Sequence, residues 1–256
     1  NHSLTCLVNL TSNPNFIETF IEYNPYPGLI KLLQSDQHKS KHDYICKIML
    51  NSTRKREAKL LLLQHKTKME GLNVIRLTHI LGKVKINDKE MIKRYSYLPF
   101  VLCNISQNKI GRELLCEPKR NLLKYIIPFM NNNINYVNMG EYGEYYQTFI
   151  QGIWHMIRNC MFILEEIPVK YINNIYKKDN IDYKLDADDD ELDKKLTDKD
   201  KNIIKQFLMN IFMDDDIELD WKKNNLIFEL INPVISSIMQ YDIELRKKLM
   251  KQIKKD

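Results

Sequence analysis

The chain has 256 residues, of which 44% are hydrophobic and only 7 are Gly and 8 Pro. This length can bury a sizeable core, and the scarcity of Gly and Pro favours an all-α protein. No stretch approaches the ~18 uncharged apolar residues of a membrane-spanning helix. No basic segment followed by an apolar one opens the chain. We therefore expect neither a membrane protein nor a secreted one.

The net charge of +6 is unevenly distributed. Residues 31–95 carry sixteen Lys and Arg against six Asp and Glu, whereas residues 182–220 carry fourteen acidic residues against six basic ones. Such asymmetry can mark partner surfaces of opposite sign, and the alternative is that each run forms the solvated outer face of helices. The acidic segment 182–201 is predicted to be a loop or a surface insertion.

Apolar periodicity and the positions of Pro and Gly predict helices along most of the chain. Pro99 fits the first turn of its helix, because a proline there removes no intrahelical hydrogen bond. Residues 131–143 are predicted to be a loop. In chain order the predicted helices cover 16–23, 29–34, 44–50, 54–64, 71–81, 97–106, 111–115, 122–130, 147–164, 171–175, 203–213, 221–239 and 242–253.

One short phrase recurs along the chain: two apolar residues, an Asn, another apolar or small residue, then Ser or Thr. It occurs at 7–11, 49–53 and 102–106, with a looser copy at 157–161. The Asn residues are 42, 53 and 55 positions apart. A repeat of this length is typical of helical arrays of the armadillo/HEAT kind. The sequence therefore predicts one curved, all-α solenoid over residues 1–256, a class that usually binds another macromolecule.

The repeated Asn residues are candidate partner-binding residues. An amide is both donor and acceptor, so Asn51, Asn104 and Asn159 could bind the backbone of an extended polypeptide along the concave face. The alternative is structural, with each Asn satisfying a carbonyl or loop between helices. Arg158 could contact acidic groups of the same partner, or could have no specific role.

Other candidate sites are weak. His38, His42 and Cys46 are spaced as if on one helical face and could bind zinc, but no fourth ligand is evident. The acidic residues 186–197 resemble the start of a calcium loop without its Gly and its final Glu. No phosphate-binding loop or catalytic set is present. We expect a non-enzymatic protein without cofactor or metal.

The five Cys residues are an odd number, and we expect buried free thiols in a reducing compartment rather than a disulfide framework. This indicates a cytosolic, or possibly nuclear, location. We also expect a monomer.

Two alternatives to a protein-binding adaptor stay open. The basic region 31–95, with Tyr44 and Tyr95, could bind RNA, although it shows no repeated set of base-reading side chains. A passive scaffold for a folded partner is the other alternative. We therefore expect a protein partner rather than nucleic acid.

Two central blocks resemble one known family. Residues 97–107, YLPFVLCNISQ, with Gly111 and Arg112, and residues 152–160, GIWHMIRNC, are similar to the Hgh family of cytosolic armadillo-type proteins. Residues 6–11 and 242–249 fit the same family. The resemblance implies an all-helical solenoid that assists the folding of translation elongation factor 2 and passes it to the cytosolic chaperonin.

Overall fold

A computed structural model describes residues 2–117, 120, 122–126, 129 and 142–164. Within these residues all regular secondary structure is helical, which confirms the all-α class. None of the described helices is both long and apolar enough to cross a membrane. The α-helices are α1 His2–Thr11, α2 Pro14–Glu22, α3 Tyr26–Leu33, α4 His42–Ser52, α5 Arg56–Leu63, α6 Leu72–Gly82, α7 Lys89–Tyr95, α8 Leu98–Gln107, α9 Lys109–Cys116 and α10 Gly143–Leu164, with 3₁₀ turns at Asp36–Lys41 and Leu122–Tyr125.

Short polar side chains begin several of these helices. Asn13 precedes α2 and Asn108 precedes α9, and each side chain accepts a hydrogen bond from the backbone N–H two residues later. Asp88 precedes α7 and accepts from the N–H of Met91 at 3.0 Å. Each cap satisfies a donor that the first helical turn leaves unpaired. The chain can therefore turn sharply between short helices.

Most predicted helices in the described residues have a counterpart in the structure, and their boundaries differ by a few residues. Helices α1 and α7 were not predicted, and α10 begins at Gly143, the last residue of the predicted loop. The helix predicted at 122–130 begins as a 3₁₀ turn. Pro99 lies in the first turn of α8, as expected. The helices predicted beyond α10 and the acidic segment 182–201 lie outside the described residues.

The helices pack around one continuous apolar core. Helices α1, α4, α8 and α10 lie side by side in that order, while α3 packs on both α4 and α6, and α6 also packs on α8. Tyr26 of α3 is fully buried and donates a hydrogen bond to Ser52 of α4 at 3.0 Å. The two sets of helices thus share their buried faces.

Two buried cationic side chains donate hydrogen bonds to acceptors at the C-terminal end of α8. The guanidinium of Arg112 donates to the carbonyls of Ser106 and Gln107 at 3.1 and 2.6 Å. Lys59, on α5, donates to the side chain of Gln107 at 2.9 Å. Positive charge at a helix C-terminus is stabilising because the last carbonyls are unpaired and the helix dipole is negative there. These contacts fix α8 against its neighbours on both sides.

The five cysteines are free thiols, as predicted, but they are not all buried. Cys6 is exposed on α1, whereas the other four are buried. Burial raises the pKa of Cys103 to about 12 and raises the pKa of Cys46 further still. The thiols of Cys46 and Cys103 therefore stay protonated and serve as apolar packing groups.

Candidate partner-binding surface

The four copies of the repeated phrase lie on the four helices that pack side by side. The first three Asn residues are near the C-terminal ends of α1, α4 and α8, and the fourth is in the C-terminal half of α10. Because α1 packs on α4, α4 on α8 and α8 on α10, each phrase contacts the preceding one. The sequence repeat thus corresponds to a repeated contact between helices.

This contact is the same pair of hydrogen bonds at three successive interfaces, which we call the Asn bridge. In each bridge the Asn side chain donates to the carbonyl of the residue before the preceding Asn. It also donates to the Ser or Thr hydroxyl two residues after that Asn. Asn51 Nδ2 lies 3.1 Å from Val8 O and 3.4 Å from Thr11 Oγ1. Asn104 Nδ2 lies 3.2 Å from Leu50 O and 3.0 Å from Thr53 Oγ1. Asn159 Nδ2 lies 3.4 Å from Cys103 O and 2.9 Å from Ser106 Oγ.

The structure places the four predicted partner-binding residues between helices. Asn104 is 3% exposed, Asn159 and Arg158 are each 1% exposed, and Asn51 is half-buried. The amides of Asn51, Asn104 and Asn159 donate to the neighbouring helix, which is the structural alternative considered for them above. The bridges account for the Asn repeat without a ligand. Direct contact of these residues with a partner stays a prediction.

Asn9, in the first copy of the phrase, differs from the three bridging Asn residues. It is exposed on α1, and no phrase helix precedes α1 in the described structure. The fourth copy differs in sequence at the other end, because Met161 stands where the acceptor hydroxyl would be. The Asn bridge therefore depends on a preceding phrase that supplies a backbone carbonyl and a hydroxyl as acceptors.

Two histidines are buried in the packing of these helices. Burial lowers the pKa of His42, although the carbonyls of Leu32 and Ser35 that face its Nε2 oppose the shift. Tyr95 donates to the other ring nitrogen at 2.8 Å. Burial, followed by the charge of Arg158, lowers the pKa of His155 to about 3. Both rings are therefore neutral in the folded protein near neutral pH.

We expect mild acid to destabilise the fold through these histidines. The unfolded chain takes up a proton near the usual His pKa and the folded one does not, so stability is complete above that pKa and falls below it. His155 alone should remove about 1.4 kcal/mol of the free energy of unfolding between about pH 7.5 and 5.5. Urea unfolding across this range measures the loss. His155→Gln should give a flatter profile, and an unchanged slope would contradict the assignment.

A group of lysines and tyrosines lies at the surface near the phrase helices. We call it the Lys–Tyr cluster, and it is composed of Lys47, Lys89, Lys93, Tyr97, Tyr142 and Tyr145. The ammonium of Lys47 lies 5.0 Å from the centre of the Tyr97 ring. Lys89 and Lys93 lie 5.6 and 5.8 Å from the Tyr142 ring, and Lys93 also lies 5.6 Å from the Tyr145 ring. These are cation–π distances, and each contact is worth about 0.5–1 kcal/mol at an exposed site. The cluster joins α4, α7, α8 and the start of α10 into one surface.

Acidic residues neutralise part of this cluster. Asp43 accepts a hydrogen bond from Lys47 at 2.8 Å. Burial alone would lower the pKa of Lys47, but the hydrogen bond and charge of Asp43 outweigh it, so that pKa is raised. Glu90 accepts from the hydroxyl of Tyr142 at 2.8 Å and lies 4.0 Å from Arg94. Each carboxylate is thus engaged with a neighbour other than Lys89 or Lys93.

The residues proposed for RNA binding are not arranged as a stacking site. Tyr95 is 9% exposed, its hydroxyl bonds to His42, and burial raises its pKa to about 12. Tyr44 is half-buried on α4. Bases stack on open aromatic faces, and Tyr95 has none.

The candidate zinc residues do not form a metal site. His38 lies in the 3₁₀ turn before α4, whereas both ring nitrogens of His42 already have hydrogen-bond partners. The thiol of Cys46 is fully buried. Among the described residues no group of three His, Cys, Asp or Glu could hold a metal ion.

The Lys–Tyr cluster was not predicted, although part of its signal is in the sequence. Lys89 and Lys93 are four residues apart, and Tyr142 and Tyr145 three apart, which are the spacings of one helical face. The two segments are about 50 positions apart, and only the packing of α7 on α10 brings them together. Tyr142 and Gly143 also fell within or beside the predicted loop, so the tyrosines were not placed on a helix.

Comparison with known proteins adds to these observations. The chain is 22% identical over 163 residues to a protein from Dictyostelium discoideum named Protein HGH1 homolog. It is 30% identical over 158 residues to the protein of the same name from Xenopus laevis. The matches cover 63% and 61% of this chain. The chain is therefore similar in sequence to proteins of the Hgh1 family over about three fifths of its length.

The Hgh1 relatives are much longer than the matched region. The alignments cover 42% of the Dictyostelium protein and 39% of the Xenopus protein, so the chain spans about two fifths of the curated relatives it matches. No family model and no solved structure matches the chain. The similarity to the family thus rests on sequence relatives, and the fold on the structure described above.

Proposed function

We propose that this chain forms an armadillo-type solenoid that acts as a chaperone adaptor in the cytosol. In this role it binds newly made translation elongation factor 2 and passes it to the cytosolic chaperonin. It has no enzymatic activity and needs no cofactor. The protein binds its client as a monomer.

The Asn bridge is the observation that carries the proposal. Identical hydrogen bonds at three successive interfaces are expected when equivalent repeats stack in one direction, as in a solenoid. Such stacks build extended surfaces from equivalent positions of successive helices. The Lys–Tyr cluster joins α4, α7 and the N-terminal ends of α8 and α10 on one such surface, which suits it to contact a macromolecule. The similarity to the Hgh1 family supports elongation factor 2 as that partner.

Affinity capture with the complete chain tests this function. The bait is incubated with a nuclease-treated eukaryotic cytosolic lysate at moderate salt, and bound proteins are identified by mass spectrometry. We expect enrichment of elongation factor 2 and chaperonin subunits over a bait of similar size and charge. Absence of both would contradict the proposal.

Purified elongation factor 2 separates an adaptor from the alternatives. An adaptor should bind the factor tightly while it refolds from denaturant and more weakly once it is native. Equal, stoichiometric binding to the native factor would indicate a passive scaffold instead. Captured ribonucleoproteins that disappear on nuclease treatment, with no elongation factor 2, would make RNA the partner.

A further inference from the structure

The part of the Lys–Tyr cluster at the junction of α7 and α10 has an unusual arrangement of charge. Lys89 and Lys93 project from one face of α7, one helical turn apart, and both contact the Tyr142 ring. Lys89 is exposed, while Lys93 and the two tyrosines are half-buried. The ammonium groups lie over the rings, and these cation–π contacts hold the two lysines side by side on the surface.

These two ammonium groups are not neutralised within the described structure. Glu90, the nearest acidic residue in sequence, instead accepts from Tyr142 and lies beside Arg94. No described carboxylate lies within ion-pair distance of Lys89 or Lys93. Two neighbouring cations without counter-ions form a site for an anionic group.

We propose that Lys89 and Lys93, with Tyr142 and Tyr145, bind an acidic segment of a protein client in extended conformation. This inference rests on the proposed adaptor function and specifies the chemistry of its partner. Residues one helical turn apart have Cβ atoms about 5–6 Å apart. Alternate side chains of an extended chain lie about 6.6 Å apart on one side. Carboxylates at every second position can thus each meet one lysine.

The tyrosines favour a polypeptide over a nucleic acid as the occupant. Lysines lie over the rings of Tyr142 and Tyr145, and a ring face covered by a cation cannot stack a base. The carboxylate of Asp43 beside Lys47 and that of Glu90 beside Tyr142 and Arg94 also interrupt the positive charge of the cluster, and would repel a continuous phosphate backbone. Discrete carboxylates separated by neutral residues avoid both obstacles.

Fluorescence anisotropy with a labelled peptide tests the inference directly. The probe has about six Glu-Ser repeats, which place every Glu on one side of the extended chain. A Gln-Ser peptide of the same length is the uncharged control. We expect the Glu peptide to bind the complete chain and the Gln peptide not to, with affinity falling as ionic strength rises from about 0.05 to 0.3 M.

Matched charge reversals locate the site. Lys89→Glu with Lys93→Glu should weaken binding of the Glu peptide about tenfold or more. Lys83→Glu with Lys85→Glu makes the same change in net charge at exposed lysines outside the cluster, and should change binding less than about twofold. Lys83, Lys85 and Lys89 are exposed and Lys93 is half-buried, and none of the four is in the apolar core, so both variants should keep the wild-type melting temperature. Equal weakening by the two pairs would overturn the inference, because it would reduce the effect to net charge.

Capture of elongation factor 2 by the same variants separates this inference from the proposed function. If the factor is captured equally by both variants, the cluster is not the client site and only the inference fails. If the Glu peptide depends on Lys89 and Lys93 while wild-type protein captures no elongation factor 2, the adaptor function fails and the acidic-segment site stands. Tighter binding of an oligouridine than of the Glu peptide, lost in the same variant, would overturn the choice of a polypeptide.

Discussion

Asn104→Ala is expected to lower the free energy of unfolding by about 2 kcal/mol, the net result of two opposing effects. The substitution leaves the Leu50 carbonyl and the Thr53 hydroxyl without the donor that now reaches them at 3.2 and 3.0 Å. Loss of a buried hydrogen-bond partner costs about 1–3 kcal/mol. The higher helix propensity of Ala returns only about half a kcal/mol. Equilibrium urea unfolding with an unchanged m-value measures the difference.

Asn9→Ala is the matched control, because the same residue type in the same phrase is exposed there. Its effect should be within about 0.5 kcal/mol of zero. A double-mutant cycle of Asn104→Ala with Thr53→Val should give a coupling energy of about 1 kcal/mol. If Asn9→Ala and Asn104→Ala were equally destabilising, the loss would not come from the bridge hydrogen bonds, and the role assigned to Asn104 would be wrong.

Gly111→Ala and Gly152→Ala should be as damaging, through steric overlap with α8. A Cβ at Gly111 would lie 2.1 Å from the carbonyl oxygen of Ile105. One at Gly152 would lie 2.7 Å from Pro99 Cβ and 2.9 Å from the backbone nitrogen of Phe100. Backbone atoms cannot rotate away, so the helices must separate. We expect losses of about 2 kcal/mol for Gly152→Ala and about 3 kcal/mol for Gly111→Ala, measured by thermal or urea unfolding.

Gly28→Ala is the control for the same substitution at a glycine where the added Cβ would meet no neighbouring atom. Gly28 lies within α3, and a Cβ there would meet nothing within 4 Å. Alanine loses less backbone freedom on folding, so this variant should be more stable than wild type by about 0.5–1 kcal/mol. The prediction is contradicted if all three variants shift stability in the same direction, because the effect of close helix packing would then be absent.

Much of the described fold could be predicted from local sequence, because helix periodicity and the Pro and Gly positions are local signals. Helix α7 escaped prediction because only Met91, Ile92 and Tyr95 are apolar in its seven residues. Its start is marked by Asp88, a capping residue whose role is plain only when the helix is known. Tertiary packing then stabilises a segment whose own periodicity is weak.

The Asn repeat was visible in the sequence, but its chemistry was not. The Ser or Thr of the phrase is part of the same contact, because its hydroxyl, two residues after one Asn, accepts a hydrogen bond from the Asn of the next phrase. Whether an amide points into a groove or between helices depends on the packing angle, which local sequence does not specify. The Lys–Tyr cluster needed the same information, because Lys93 and Tyr145 meet only through the packing of α7 on α10.

The Asn bridges also explain how repeats of unequal length can share one geometry. Asn51, Asn104 and Asn159 lie 42, 53 and 55 positions after the Asn of the preceding phrase, yet each donates to the same pair of acceptors. One residue inserted within a phrase helix would rotate its Asn by about 100° and remove it from its acceptors. An insertion in a connecting loop would leave the register intact. The connections between phrases can therefore differ in length within this chain, as long as the helical residues around each bridging Asn keep their register.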